Sequence, residues 1–256
     1  MEKEKSSAET TDFFYKTPKM FVIKGWQQDY VSASRQTFNE ELEKFIRVKN
    51  VSAFQLQLPL DHLVNRIIKR SIDIILSTIF IICLLSWLIP LVALLIKLDS
   101  KGPVFLLQKR NKKGGKVFTY IKFRSAGDDD LPITMYDERP TRLGRFLRTY
   151  SLDELPRFLN IWWGDMSIIG PRPHTISDNN KYEQAVEFYE YRYKVKPGIT
   201  GLSQVMNCMG KIRNAEAMKD HVQLDILYIR RWSPGLDMKI LWSTLQKLIR
   251  TIFRST

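Results

Sequence analysis

The residues from Ile74 to Ile96 form a run of 23 without one charged side chain. Wound as an α-helix at 1.5 Å per residue, such a run extends ~35 Å, enough to cross a hydrocarbon core of ~30 Å. Three arrangements can hold it: a core helix inside a large soluble domain, a straight membrane anchor, or a helix that enters the bilayer, bends and returns. Pro90 lies inside the run, where its missing N–H and its ring cost ~3 kcal/mol or a kink, and neither limb beside it is long enough to cross alone. Arg66, Lys69 and Arg70 precede the run, and Lys97, Lys101, Lys109, Arg110, Lys112, Lys113 and Lys116 follow it. Positive flanks prefer the cytoplasmic side. A spanning helix would leave one flank on the wrong face, whereas a re-entrant helix over about 70–97 satisfies both. Ser86 can return its hydroxyl to a backbone carbonyl near the bend. Asp73, placed after Lys69 and Arg70 at helical spacing, is expected as a paired carboxylate at the interface.

Outside this run the chain is polar. A hydrophobic content of 44% and a mean hydropathy of −0.23 exclude a polytopic membrane protein. Its 256 residues suffice for one domain with an extension, or for two small domains. Forty Lys and Arg against 27 Asp and Glu leave a net charge of +13, which favours anionic partners: nucleic acid, acidic lipid or phosphorylated substrates. Cys83 and Cys208 offer no disulfide framework, and a reducing compartment follows. The opening MEKEKSSAETTD lacks the apolar stretch of a secretory signal, so no export is expected. Residues 1–18 read as a disordered tail. Residues 19–65 read as an N-terminal extension without assigned role: a strand at MFVIKGW, a helix carrying Phe38, Leu42, Phe45 and Ile46, and a strand from Phe54 to Leu60.

After the apolar run, GPVFLLQKRNKKGGKVFTYIKF predicts a basic β-hairpin turning around Asn111 to Gly115. Gly114-Gly115-Lys116 lacks the spacing of a phosphate loop. Lys122 and Arg124 share one face of the second strand, where they can meet phosphate or simply face headgroups. Asp128-Asp129-Asp130 reads as a solvated acidic loop. In RTYSLDELPRFLNIWWGDMSIIGPRPH, Asp153 and Glu154 open a helical stretch with Pro156 in its first turn and Arg148, Arg157 and Arg172 close in sequence. Ser151 and Glu154 match a capping box, so a helix-start role competes with a chemical one. A positive helix end beside two carboxylates also suits chemistry on a phosphate. A magnesium ion between the carboxylates and a diphosphate would offset the repulsion between nucleophile and substrate, with arginines neutralising the oxygens. His62, His174 and His221 are scattered without metal-ligand spacing, which points to surface or structural roles.

Five ordered blocks carry a resemblance over roughly 190 residues from Arg66: KRSID, GPVFLLQKRNKKGGKVFTYIKFRS, SLDELPRFLNIWWGDMSIIGPRP, VKPGITGLSQV and LDILYIRRWSPGLDMKIL. The sequence resembles the bacterial sugar transferase family, the monotopic phosphoglycosyl transferases. The resemblance implies an α+β, mainly α, monotopic membrane protein, with a re-entrant helix-break-helix, the basic β-hairpin and interfacial amphipathic helices around the active site. It implies a domain over 66–256 at the bacterial inner (cytoplasmic) membrane, with the active site on the cytoplasmic face. The implied reaction moves a sugar-1-phosphate from a UDP-sugar to polyprenyl (undecaprenyl) phosphate. An aspartate attacks the β-phosphate, UMP leaves, and the polyprenyl phosphate resolves the sugar-phosphoryl enzyme. This begins polysaccharide or glycoconjugate assembly.

By the same resemblance Asp153 stands as nucleophile and Glu154 as its partner or magnesium ligand, with Mg2+ the cofactor on both. Arg148 and Arg172 fall at phosphate-binding positions, with Lys122 and Arg124 as further phosphate contacts. Pro197, Gly198, Ile199, Thr200 and Gly201 form a turn placed near the nucleotide. Membrane lipid is a partner, nucleic acid is not, and a homodimer stays open. The chain departs from the family pattern in three places. Trp87 follows Ser86 where proline is usual, the proline coming at Pro90. Ala126 ends KFRSA, and Leu202-Ser203 follows PGITG. At the C-terminus Met238, Leu241, Leu245, Leu248 and Ile252 recur at helical spacing, with Lys239, Lys247, Arg250 and Arg254 available for headgroups. The rival reading is a non-catalytic membrane-attached protein that binds anionic lipid or a partner, with Asp153-Glu154 as a helix cap.

Overall fold

The computed structural model describes residues 58–126, 140–206 and 215–254. The tail, the strand and helix expected before Phe54, and the acidic Asp128–Asp130 loop lie outside them. Of the strand expected over Phe54–Leu60, only its end is described. Pro59–Asp61 is a 3-10 turn there, with the Asn65 side chain donating to the Pro59 carbonyl. Leu58 and Leu60 are buried in the main core.

The apolar run is helical throughout. Helix α1 (Leu63–Phe80), a π-helical turn (Ile81–Leu85) and α2 (Ser86–Asp99) follow one another without an unwound residue. Together they form a helix of 37 residues, only 17% of whose most apolar window is buried. Ile74, Ile75, Ile79, Ile82, Trp87, Leu91, Leu94 and Leu95 are exposed. A core helix of a soluble domain would not leave these side chains uncovered, so that arrangement fails.

The break expected at Ser86 and Pro90 therefore takes another form. The Ser86 N–H bonds back to the Ile81 carbonyl, five residues away, which is the π-type widening. The Ser86 hydroxyl donates to the Ile82 carbonyl (2.6 Å) and the Trp87 indole N–H to the Cys83 carbonyl (3.0 Å). The residue that replaces the usual proline thus supplies a donor where the wider turn disturbs the backbone ladder. Pro90 sits within α2.

Strands β1 (Phe105–Asn111) and β2 (Val117–Phe123) pair antiparallel from Phe105↔Phe123 to Asn111↔Val117, as the sequence predicts. Helix α3 (Arg142–Thr149) follows, capped by the Thr141 hydroxyl accepting from the Gly144 N–H. A 3-10 turn (Leu152–Glu154) leads into α4 (Arg157–Trp163). Strand β3 (Ser167–Ile169) and β4 (Gly198–Thr200) form a parallel pair, with α5 (Ile176–Ala185) and a 3-10 segment (Tyr189–Lys194) between them. Helices α6 (Leu202–Val205), α7 (Ala215–Arg230) and α8 (Pro234–Arg254) complete the described fold. The turn expected over Pro197–Gly201 is therefore a strand at its centre. A Cβ on Gly198 would overlap the Gly170 backbone, so glycine is what lets β3 and β4 approach.

The main core gathers Ile161, Met166, Ile168, Ile169, Val222, Ile226, Ile229 and Ile240. A smaller cluster of Val92, Ile96, Phe123 and Leu147 joins α2 to β2 and α3. The flanks of the apolar run anchor it to this body. Lys69 pairs with Asp237 (2.7 Å) and donates to the Tyr228 hydroxyl. Arg70 donates to the Ile161 and Trp162 carbonyls, capping α4. Asp73 does not pair with either cation by direct contact. It accepts from the Ser167 hydroxyl and the Ile168 N–H, because α1 presses that face onto β3.

Candidate active site

Asp153 enters the site through an unusual local backbone. Ser151 adopts a left-handed conformation (φ 55°), and the chain turns sharply before the Leu152–Glu154 turn. Leu152 packs on the smaller apolar cluster and Asp153 is buried. The capping box expected from Ser151 and Glu154 does not form. The Ser151 side chain makes no cap bond, since a left-handed residue does not present its hydroxyl to the following N–H groups.

Burial raises the Asp153 pKa above the ordinary carboxylate value, opposed by the charges of Lys122, Arg157 and Arg148. Lys122 and Arg148, both expected from sequence, are thus brought to Asp153 from β2 and α3. Arg148 is held by its Nε–H to the Ser125 hydroxyl (2.7 Å). A Cβ on Gly144 would overlap the Ser125 carbonyl, so that glycine sets how closely α3 lies over the end of the hairpin. Asp153 has no ion-pair partner within 4 Å among the described residues.

Glu154 is differently placed. Its carboxylate pairs with Arg157, and with Arg172 at 3.3 Å. Arg157 is fully buried, also donates to the Glu154 carbonyl, and stands over the Tyr120 ring at 5.4 Å. Burial pushes its pKa down to about 10, so it remains a cation at neutral pH. Arg110 of β1 lies over the same ring at 4.2 Å and donates to the Pro173 carbonyl. The hairpin thereby grips the Arg172–Pro173 segment.

A second layer fixes that segment from behind. Arg192, buried, donates to the Arg172 carbonyl (2.6 Å), to His174 Nδ1 (2.8 Å) and to Asp225 (2.8 Å). Asp225 also accepts from the Ser203 hydroxyl (2.9 Å). His174 is buried, and its pKa is driven well below the ordinary value by desolvation and then by Arg192, so the imidazole is neutral. His174 and His221 are core groups rather than surface ones, whereas His62 is exposed. A small open cleft is lined by Lys112, Arg172, His174, Asn179, Arg192 and Pro197 among others.

The remaining sequence candidates divide. Pro197 borders the cleft beside Arg172. Gly198 pairs with Ser167, and Thr200 is buried with its hydroxyl on Thr244. Arg124 is buried with its guanidinium on the carbonyls of Ser100 and Lys101, where it closes the end of α2. Sequence reasoning named Arg157 only as one of three arginines near the carboxylates that could neutralise phosphate oxygens, and did not single out its i+3 pairing with Glu154. Arg110, Tyr120, Arg192 and Asp225 carry no such local signal, because their partners are distant in the chain.

Residues 64–251 match the model of the bacterial sugar transferase family. The chain belongs to this family. It is 44% identical over 189 residues to the UDP-glucose:undecaprenyl-phosphate glucose-1-phosphate transferase of Escherichia coli K12, covering 72% of this chain and 40% of that one. A protein of the same name from Caulobacter vibrioides is 38% identical over 198 residues, 75% of this chain and 74% of that one. A UDP-N-acetylgalactosamine-undecaprenyl-phosphate N-acetylgalactosaminephosphotransferase of Aeromonas hydrophila is 35% identical over 223 residues, 82% of this chain and 50% of that one. The chain spans about two fifths of the Escherichia coli relative and of a Klebsiella pneumoniae one. The Caulobacter alignment covers most of both chains.

Proposed function

We propose that the chain transfers a sugar-1-phosphate from a UDP-sugar to undecaprenyl phosphate, or a close polyprenyl phosphate, and releases UMP. The observation that carries this reading is Asp153: a buried carboxylate without an ion-pair partner, among the charges of Lys122, Arg148 and Arg157. Two anions must meet for the reaction to occur, and these cations reduce their repulsion. A helix cap would need neither the burial nor the cations.

In the first step a carboxylate oxygen of Asp153 bonds to the sugar-bearing phosphorus, and the phosphoanhydride bond to the second phosphate breaks. Its electron pair leaves on UMP. In the second step a phosphate oxygen of the polyprenyl phosphate attacks the same phosphorus, the acyl-phosphate bond breaks, and Asp153 regains its carboxylate. Arg172, paired with Glu154 and bordering the cleft, would hold the departing phosphate. Glu154 keeps Arg172 and Arg157 in register with Asp153.

The donor set suits a magnesium ion only in part. No group of three or more His, Cys, Asp or Glu occurs among the described residues. Magnesium is commonly held by one or two carboxylates together with substrate phosphates; Asp153 would offer one, whereas both carboxylate oxygens of Glu154 already sit on Arg157 and Arg172. Bound there with the diphosphate, the ion would neutralise its oxygens as a Lewis acid.

The topology we propose is monotopic and re-entrant, with the site on the cytoplasmic face of the bacterial inner membrane. Arg70, ahead of the apolar run, bonds to α4, and Arg124 of the hairpin holds the carbonyls that follow α2. Helix α4 and the hairpin are themselves joined, Asn160 accepting from the Ile121 N–H and donating to the Thr119 carbonyl. Both ends of the run are thus tied to one body, as a helix that returns to its starting face requires. Cysteines placed before Lys69 and after Lys101 should both resist labelling from outside intact cells; labelling of either contradicts this topology.

The activity is tested by incubating the purified full chain with undecaprenyl phosphate and a panel of UDP-sugars while following UMP. Asp153→Asn should abolish UMP release while membrane association persists. Intact-mass analysis without acceptor should show a sugar-phosphate adduct on the unaltered protein only. Absence of both adduct and glycolipid across the panel refutes the reading and leaves the lipid-binding alternative.

A further inference from the structure

A cluster of cations that reaches the edge of the cleft through Lys112 has no part in the proposed reaction. It surrounds Gly164 and Asp165, where α4 ends. A Cβ on Gly164 would lie 3.3 Å from Arg70 Nη2 and 3.3 Å from Lys196 Nζ, so at most twice that distance separates the two cations. Lys112, from the hairpin turn, pairs with Asp165 at 2.5 Å. Three chain segments thus converge on one point with three positive charges.

The charges are poorly balanced. Arg70 spends both terminal nitrogens on neutral carbonyls, Ile161 and Trp162. The Lys196 ammonium has no hydrogen bond or ion pair among the described residues. Asp165 is committed to Lys112, and Asp73 to Ser167 and Ile168. Lys196 is half-buried, and its pKa is lowered first by desolvation and then by Arg70, with Lys112 adding to the effect and Asp73 and Asp165 opposing it. A half-buried ammonium held against two other cations is stabilised by a directly paired anion, and no described residue supplies one to Lys196.

The surroundings say where that anion comes from. Trp162 and Trp163, directly before Gly164, are 49% and 58% exposed. Indole rings at a helix end beside basic side chains mark the headgroup depth of a bilayer. Arg70, ahead of the apolar run, donates to the Trp162 carbonyl at 2.8 Å and so lies beside these rings. We propose that Arg70, Lys112 and Lys196 form a binding site for the phosphate of an anionic phospholipid headgroup, with Trp162 and Trp163 as its lipid-facing rim. The site joins α1, the hairpin turn and the segment before β4, so a bound headgroup would hold these three elements together at the membrane surface.

The test uses the full chain in nanodiscs, either of phosphatidylcholine alone or with phosphatidylglycerol added. Lysine acetylation by a water-soluble reagent is followed by peptide mass spectrometry, with exposed Lys113 as internal reference. A headgroup phosphate beside Lys196 should favour its protonated form about fivefold. Its acetylation relative to Lys113 should slow by about that factor in the anionic discs, and Lys112→Met should remove much of the protection. Millimolar inorganic phosphate added to the phosphatidylcholine discs should leave the rate unchanged. Equal relative rates in both discs overturn the proposal. Equal protection by inorganic phosphate also overturns it, assigning the cluster to a soluble phosphate. The readout involves no turnover, so it stands or fails apart from the transferase reading.

Discussion

Replacing Arg157 by methionine separates a charge kept for chemistry from one kept for the fold. The guanidinium is fully buried, and its descent from the ordinary 12.5 to about 10 corresponds to about 3 kcal/mol against holding the charge in the folded state. A lowered cation pKa penalises the fold at every pH below about 10, and the penalty fades only as pH rises through that value. Arg157→Met removes it and retains much of the apolar volume against Tyr120. The losses are the Glu154 ion pair and the hydrogen bond to the Glu154 carbonyl. Glu154 keeps Arg172 and is partly exposed, so it is not left as a stranded charge. Gains and losses of this size leave stability changed by no more than about 2 kcal/mol, or roughly 8 °C in Tm for a chain of this length. Turnover responds more strongly. Asp153 loses one of the three cations that oppose its raised pKa, and the reacting phosphate loses nearby positive charge, which costs about 10²- to 10³-fold in kcat. Thermal unfolding and UMP release measured on one nanodisc preparation check both halves. A Tm drop beyond about 15 °C with turnover per folded molecule intact would refute the reasoning, because Arg157 would then be a structural tie.

Asp153 makes stability and activity respond to pH in opposite directions. Its raised pKa means turnover falls as pH drops through that value, while the same protonation relieves the buried charge and stabilises the fold; parallel pH profiles of kcat and Tm check the signs. Asp225→Asn breaks the buried pair with Arg192 and should cost about 3–5 kcal/mol, lowering Tm by roughly 6–20 °C; an unchanged melting curve would show that the pair does not anchor the Arg172 segment. Trp87→Phe removes the donor to the Cys83 carbonyl and should lower stability in lipid by about 1 kcal/mol, seen as faster hydrogen exchange around Ile81–Leu85; unchanged exchange would deny the indole its role.

Local features were legible wherever the physics is local. The hairpin followed from alternation and a Gly-Gly turn, and the two strands pair antiparallel on either side of it. Lys122 and Arg148 were placed by motif, and the fold brings both to Asp153. Arg124 looked equivalent to Lys122 on the same strand, but the end of α2 takes it up, a demand that no strand pattern reveals. The glycines of PGITG read as a turn because glycine usually signals one. Here Gly198 serves the close approach of β3 and β4, which depends on a strand far away in the chain.

The sequence by itself determined that a charge-free run with basic flanks is long enough to cross a bilayer, that a carboxylate pair stands beside arginines, and that a basic hairpin follows. Each depends on side-chain spacing along one continuous segment, and such spacing survives in any fold. Only the tertiary structure decided which cations face Asp153, which are spent on carbonyls, and that Arg192 and Asp225 hold the Arg172 segment from behind. Those assignments depend on which buried groups compete for the same partners. Desolvation makes that competition severe, and its outcome is set by distances between segments remote in the chain.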